Sequence, residues 1–150
     1  MNPRQGARGL AIGRAAFGAA LLLAPERVGK GWLGKYAERP AVHALIRSIG
    51  IRDAVLGMIA LHTVDHPEVG PRWLATCAAV DSVDLVATVA ARSDLPKAGV
   101  AGTALVAGGA AAAGFYLARA LKQGLAARPW PMQSTHGAFR LGASQVRSLL

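Results

Sequence analysis

From Ala98 to Ala118 the chain carries no charged residue, and the run is bounded by Lys97 and Arg119. A helix of that length meets the requirement of about 20 apolar residues that a hydrocarbon core imposes on a spanning segment. This run is the strongest membrane signal in the sequence, and three further apolar segments surround it. The first extends from about Gly9 to Ala24, contains Arg14 and stops at Pro25; at 1.5 Å per residue it reaches only about 24 Å, which is marginal for spanning. The second, Ala41 to Thr63, ends in the polar turn Asp65-His66-Pro67-Glu68. The third runs from Arg72 to Ala91, opens with Trp73 and closes before Arg92, Asp94 and Pro96. The pattern predicts an all-α fold, a four-helix transmembrane bundle. The connection from Pro25 to Pro40, with Gly29, Gly31, Gly34, Trp32 and Tyr36, suits a loop or a short interfacial helix at headgroup depth, where amphipathic aromatics are favoured.

Composition agrees with a membrane setting. Hydrophobic residues make up 53% of the chain and charged residues 17%, against about 25% charged in soluble domains. The mean hydropathy of +0.33 is modest because Ala and Gly supply much of the apolar content. The 17 Lys and Arg outnumber the 8 Asp and Glu, yet no basic run occurs and aromatics are only 5%. A nucleic-acid partner, which would need a basic face with stacking aromatics, is therefore not expected. The basic residues fall mostly between apolar stretches, as flanks of spanning helices do. The expected domain organisation is a membrane domain over residues 1–122 and a basic surface tail over 123–150, the latter with Pro129-Trp130-Pro131 and a possible short amphipathic helix from Phe139 to Leu150. The first segment has basic residues before it but no small-x-small cleavage pattern, so it is expected to stay in the mature chain.

Counting Lys and Arg on each side sets the expected orientation. With four spans, one side carries Arg4, Arg8, Arg72, Arg119, Lys122, Arg128, Arg140 and Arg147, and the other carries Arg27, Lys30, Lys35, Arg39, Arg92 and Lys97. The bias places a multi-pass protein in the cell membrane with both termini in the cytoplasm.

Six charges lie inside the apolar segments: Arg14, Arg47 and Arg52 against Asp53, Asp81 and Asp84, a formal sum of zero. A charge at the bilayer centre costs at least about 2.5 to 3.5 kcal/mol by insertion scales, so these groups must pair, meet water or face the bundle interior. On the third segment Cys77, Asp81, Asp84 and Thr88 follow i, i+4, i+7, i+11 and share one stripe. On the second, His43, Arg47, Gly50, Ala54 and Gly57 form another, with Asp53 on its edge and Arg52 directed elsewhere. Arg47 or Arg52 is expected to pair with Asp81 or Asp84, and Arg14 with another carboxylate, because the guanidinium fork suits a buried carboxylate. Gly9-x-x-x-Gly13 and the Gly108 to Gly114 stretch are small-residue faces of the kind that let helices dock in lipid.

The run Arg47-x-x-Gly50-x-Arg52-Asp53-x-x-x-Gly57, followed by Asp81-x-x-Asp84 and an Ala/Gly-rich last helix, resembles the small uncharacterised bacterial and fungal membrane proteins of the DUF4267 type, which are distantly similar to DoxX-like four-helix proteins. The resemblance covers roughly Ala41 to Leu121; it implies four helices and no assigned activity.

Three functions fit these residues. The first is a non-catalytic membrane protein, an accessory subunit or a binder of a lipophilic small molecule, with Arg14, Arg47, Arg52 and His43 as binding groups. Its partners would be the lipid bilayer, a membrane subunit or a second copy of the chain. The alternative is an intramembrane enzyme in which Asp81, Asp84 and Asp53 perform acid/base chemistry on a lipophilic substrate, as an isomerase, cyclase or epoxide hydrolase would. A proton-coupled transporter is the third. No metal is expected, since His43, His62 and His66 lack the spacing of a metal motif and Cys77 is alone. No cofactor is expected, since no phosphate-binding loop or dinucleotide fingerprint occurs.

Overall fold

The computed structural model describes residues 2–126, and within them the chain is helical throughout, joined by short turns. The tail with Pro129-Trp130-Pro131 and the Phe139 to Leu150 piece lie outside the described residues. Helix α1 covers Pro3–Leu23, α2 Pro25–Leu33, α3 Pro40–Thr63, α4 Val69–Ala90 and α5 Lys97–Ala126; a 3-10 turn, Gly34–Glu38, joins α2 to α3.

Helix α1 begins earlier than its apolar run. Pro3 stands in its first turn, and the Asn2 side chain accepts a hydrogen bond from the Arg4 N–H at 3.0 Å, so the helix is capped and Arg4 and Arg8 become helical. Its 21 residues reach about 31 Å, and the shortfall expected from the apolar stretch alone disappears. Proline also opens α2 and α3, where its missing N–H costs nothing and its φ is already helical. Helix α2 stops at Gly34, whose φ of +58° reverses the chain at little steric cost. Lys30 then ties α2 to the 3-10 turn, reaching Glu26 at 2.9 Å and Glu38 at 3.4 Å. The hydrogen bond from Lys30 holds the Glu26 carboxyl below its ordinary value, and the bonds to Glu26 and Glu38 raise Lys30 above its own.

The helices pack as two pairs, α1 on α3 and α4 on α5, with sparser contact between the pairs. Small residues make the first pair possible. A methyl group at Gly18 would lie 2.4 Å from the Ala54 backbone nitrogen, and one at Gly57 would lie 2.6 Å from the Ala15 nitrogen. The backbones therefore touch along an antiparallel seam and gain dispersion contacts that larger side chains would hold apart. A methyl group at Gly114 would lie 2.9 Å from the Ala78 side chain between α4 and α5, so this end of the Gly108 to Gly114 stretch docks, whereas Gly109 has nothing within 4 Å. At one end of the bundle Ala7, Val64, Leu74, Leu117, Ala118 and Leu121 close an apolar core that joins both pairs.

The distribution of size is the reverse of a water-soluble bundle. Much of the buried interior is Ala, while Ile12, Leu45, Ile51, Val83, Val86, Leu105 and Tyr116 stand more than half exposed on the outer faces. Three helices, α1, α4 and α5, are long and apolar enough to cross a membrane. Helix α3 matches them in length at 24 residues but carries Arg47, Arg52 and Asp53. An apolar outside around a small-residue inside is what a lipid solvent selects, because large apolar side chains lose nothing by facing acyl chains.

Candidate functional site

Midway along the bundle, α1, α3 and α4 bring five charged side chains together. Arg14 on α1 donates from Nη1 to Asp53 Oδ1 at 3.1 Å and from Nη2 to Asp81 Oδ2, with a longer bond from Nη2 to the Cys77 carbonyl at 3.4 Å. These three side chains are nine-tenths or more buried, at 8%, 9% and 10% exposure. Arg52 on α3 donates to both oxygens of Asp84 on α4, at 3.1 and 2.6 Å, and to Asp53 Oδ1 from Nε at 3.4 Å and Nη2 at 3.3 Å. Asp53 Oδ1 is thus the shared acceptor that links a dry half of the network to a half-exposed one.

The pairing expected from the helical stripes is present: Arg52 takes Asp84, and Arg14 takes Asp53 and Asp81. Of the two candidates, Arg47 and Arg52, it is Arg52 that enters the network. Gly50 and Gly57 face α1 at backbone distance, so the stripe that contains Arg47 is the docking face, and Arg47 emerges at the end of α1. There its Nε donates to the Leu22 carbonyl at 3.3 Å, satisfying one of the unpaired acceptors of the helix's last turn. Arg52, expected to point away, lies on the side that faces α4. His43 is also outside the network. Its Nε2 donates to the Ala37 carbonyl at 2.7 Å and ties α3 to the 3-10 turn. His62 Nδ1 donates to the Met58 carbonyl within α3, and His66 Nδ1 accepts from the Val69 N–H at the start of α4. Thr88, on the stripe with Cys77 and Asp81, is buried as they are.

Beside the network lies a cavity of about 540 Å³. Its walls come from α1 (Gly9, Gly13, Phe17, Leu21), from α2 (Val28, Gly31, Trp32) and from α5 (Gly99, Gly102, Leu105, Val106, Gly109), and its polar wall is Arg14 with Asp53, Asp81 and Asp84. Gly9-x-x-x-Gly13 therefore does not dock a helix as expected: nothing lies within 4 Å of the position a side chain would take at either residue. Helix α2 packs against both α3, where Gly29 meets Ile46, and the start of α5, where Gly99 meets the Trp32 carbonyl, and so closes one side of this space. Nothing in the local sequence distinguishes a glycine that packs from one that lines a void. The glycines of α5 at positions 99, 102 and 109 share a helical face, and that periodicity is the signal that was open to reading. Trp32 contributes a second polar feature, since its Nε1 is buried without a hydrogen-bond partner among the described residues.

No family model, curated protein or solved structure matches this chain.

The chemistry available is that of fixed carboxylates against an apolar space. Arg14 and Arg52 direct their donors at aspartates, while Asp53 Oδ2 and Asp81 Oδ1 accept no hydrogen bond among the described residues. A cavity of this size, apolar with a few convergent polar groups, has the character of a small-molecule site.

Proposed function

We propose that this chain is a multi-pass membrane protein that binds a lipophilic small molecule in the cavity between α1, α2 and α5. In this reading α1, α3, α4 and α5 cross the bilayer, α2 lies at its surface, and both termini are cytoplasmic, as the distribution of Lys and Arg favours. The charges of α3 are tolerated at depth because Arg52 and Asp53 are paired and Arg47 sits near the helix end. The resemblance to DUF4267-type proteins agrees with the four-helix architecture.

The observation that carries the proposal is the cavity itself, about 540 Å³ with Phe17, Leu21, Leu105 and Val106 on its sides and Asp53 and Asp81 at its polar wall. Phe17, Leu105 and Val106 are also 43%, 77% and 61% exposed, so the space opens sideways toward what would be acyl chains. A lipophilic ligand would enter from the bilayer without crossing water.

Native mass spectrometry of the full chain, extracted in detergent and released into the gas phase, tests this directly. A bound lipophilic species is expected in the wild type and lost in Gly13→Leu, whose Cβ would have nothing within 4 Å and whose side chain is meant to fill the cavity that Gly13 lines. A chain that purifies without detergent, or a Gly13→Leu protein that retains the species, would overturn the reading.

A second reading is favoured by one feature: Asp53 and Asp81 share the Arg14 guanidinium at the cavity wall. Two carboxylates set together beside an apolar space suit acid/base chemistry on a lipophilic substrate. An enzyme of this kind would lose turnover, while remaining folded, in Asp81→Asn. The accessory-subunit role is supported by the small-residue seams, and it would show as a partner purifying at fixed stoichiometry.

A further inference from the structure

We propose that the cavity is selective for a lipophilic cation, a molecule with an apolar body and one protonated amine that docks against Asp53 and Asp81. The inference rests on the reading of the cavity as a ligand site and names the class of ligand.

Charge supplies the first argument. The network contains two guanidiniums, Arg14 and Arg52, and three carboxylates, Asp53, Asp81 and Asp84, which leaves one negative charge unmatched. The six-residue sum of zero is not realised locally, because Arg47 is drawn to the Leu22 carbonyl at the end of α1. An unmatched carboxylate in a low-dielectric interior is relieved either by a proton or by a counter-charge, and a ligand that brings the counter-charge gains more from it there than it would in water.

Geometry supplies the second. Of the charged residues on the cavity wall three are acidic and one, Arg14, is basic. The terminal nitrogens of Arg14 are turned toward Asp53, Asp81 and the Cys77 carbonyl, so its charge is already engaged. The oxygens left without a hydrogen bond among the described residues, Asp53 Oδ2 and Asp81 Oδ1, belong to side chains at 9% and 10% exposure, fixed in place by Arg14. An ammonium presents donors to such acceptors, whereas a carboxylate or phosphate head would meet like charge.

Shape supplies the third. A metal cation would need several oxygen ligands in one shell, while most of this lining is aliphatic, aromatic or glycine. An organic cation uses both parts, the apolar walls for its body and the two oxygens for its head.

The experiment compares three probes with one apolar chain and different heads: N,N-dimethyldodecylamine, dodecanol and dodecanoate. Equilibrium binding of each is measured on the full chain in lipid nanodiscs near neutral pH, with empty nanodiscs subtracted. The amine is expected to bind saturably and at least about tenfold more tightly than the alcohol, with the carboxylate weakest, a factor that corresponds to one well-placed charge interaction. Asp84→Asn, which balances the network at two charges of each sign while leaving an acceptor for Arg52, is expected to reduce the amine's advantage over the alcohol to about twofold or less. Asp81→Asn provides the same test if that variant does not fold. Gly13→Leu is expected to abolish saturable binding of both. Equal binding of amine and alcohol, as a site neutralised by a bound proton would give, overturns cation selectivity and leaves the cavity reading intact. Tighter binding of dodecanoate, or an amine preference that survives both Asp→Asn variants, also overturns the selectivity. Absence of saturable binding by all three probes overturns the selectivity together with the cavity reading beneath it.

Discussion

Arg52 holds Asp84 through both terminal guanidinium nitrogens, at 3.1 and 2.6 Å, and in doing so joins α3 to α4 across the boundary between the two helix pairs. Its other contact, with Asp53, bends the interaction back onto its own helix. Arg52 is therefore the clasp of a network whose buried end is Arg14.

The clasp is about one-third exposed on both sides, so solvent screens it and its contribution is modest. Arg52→Lys should destabilise the protein by about 1 kcal/mol, because an ammonium cannot occupy both carboxylate oxygens in the fork geometry. Reversible unfolding in mixed micelles would measure the difference, and a lysine variant equal to the wild type would show that bidentate contact is dispensable.

Arg14 is a different case because its partners are dry. Arg14→Ala leaves Asp81 buried without a cation and Asp53 with only its longer contact to Arg52, a change that costs on the order of 3–5 kcal/mol when one partner of a buried pair is removed. The triple variant Arg14→Ala, Asp53→Asn, Asp81→Asn should be more stable than Arg14→Ala alone, since the stranded charges are gone. If the single and triple variants unfold together, the three groups are not energetically coupled.

The glycine seam predicts a sharp positional contrast. Gly18→Ala and Gly57→Ala insert a methyl group against backbone at 2.4 and 2.6 Å, where no side chain can rotate aside. Each should destabilise by about 1–3 kcal/mol through overpacking. Gly9→Ala, in the same helix as Gly18 but facing open space, should be neutral or slightly stabilising through helix propensity. Thermal stability of the three proteins side by side decides the matter, and equal effects would contradict the seam.

The Lys30 bridge predicts a weak pH dependence in α2. Because Glu26 is lowered by its bond to Lys30, its contribution is present above the ordinary carboxylate range and is lost as pH falls through the lowered value. Lys30 is raised, so its contribution is present at neutral pH and fades as pH rises through the raised value. Protection of the α2 amides, taken relative to intrinsic exchange at each pH, should fall at both extremes. High salt should flatten the profile, since these side chains are about half exposed.

Much of the site was open to reading before any coordinates. Asp81 and Asp84 had to share a face because helical periodicity brings positions three apart together, and Arg14 had to seek a carboxylate because its segment is otherwise apolar. The selection of Arg52 over Arg47 was not readable in this way. It depends on which side of α3 docks on α1, and that is settled by Gly50 and Gly57 meeting backbone rather than by the charges. The full length of α1 was missed for a local reason: Arg4 and Arg8 read as flanking charge, although Asn2-Pro3 is a helix-start signal.

What the sequence determined alone is helical structure, the position of the charges midway along apolar helices and the need to pair them, because each follows from short-range periodicity and from the cost of an unmatched charge away from water. The tertiary structure decided the rest: that Gly18, Gly50 and Gly57 close a seam while Gly9 and Gly13 face a void, and that two cations meet three carboxylates. The same small residue permits close packing or leaves space according to what the opposite helix presents. That depends on the path of α2 between α3 and α5, which is a relationship among distant residues and not a property of any one segment.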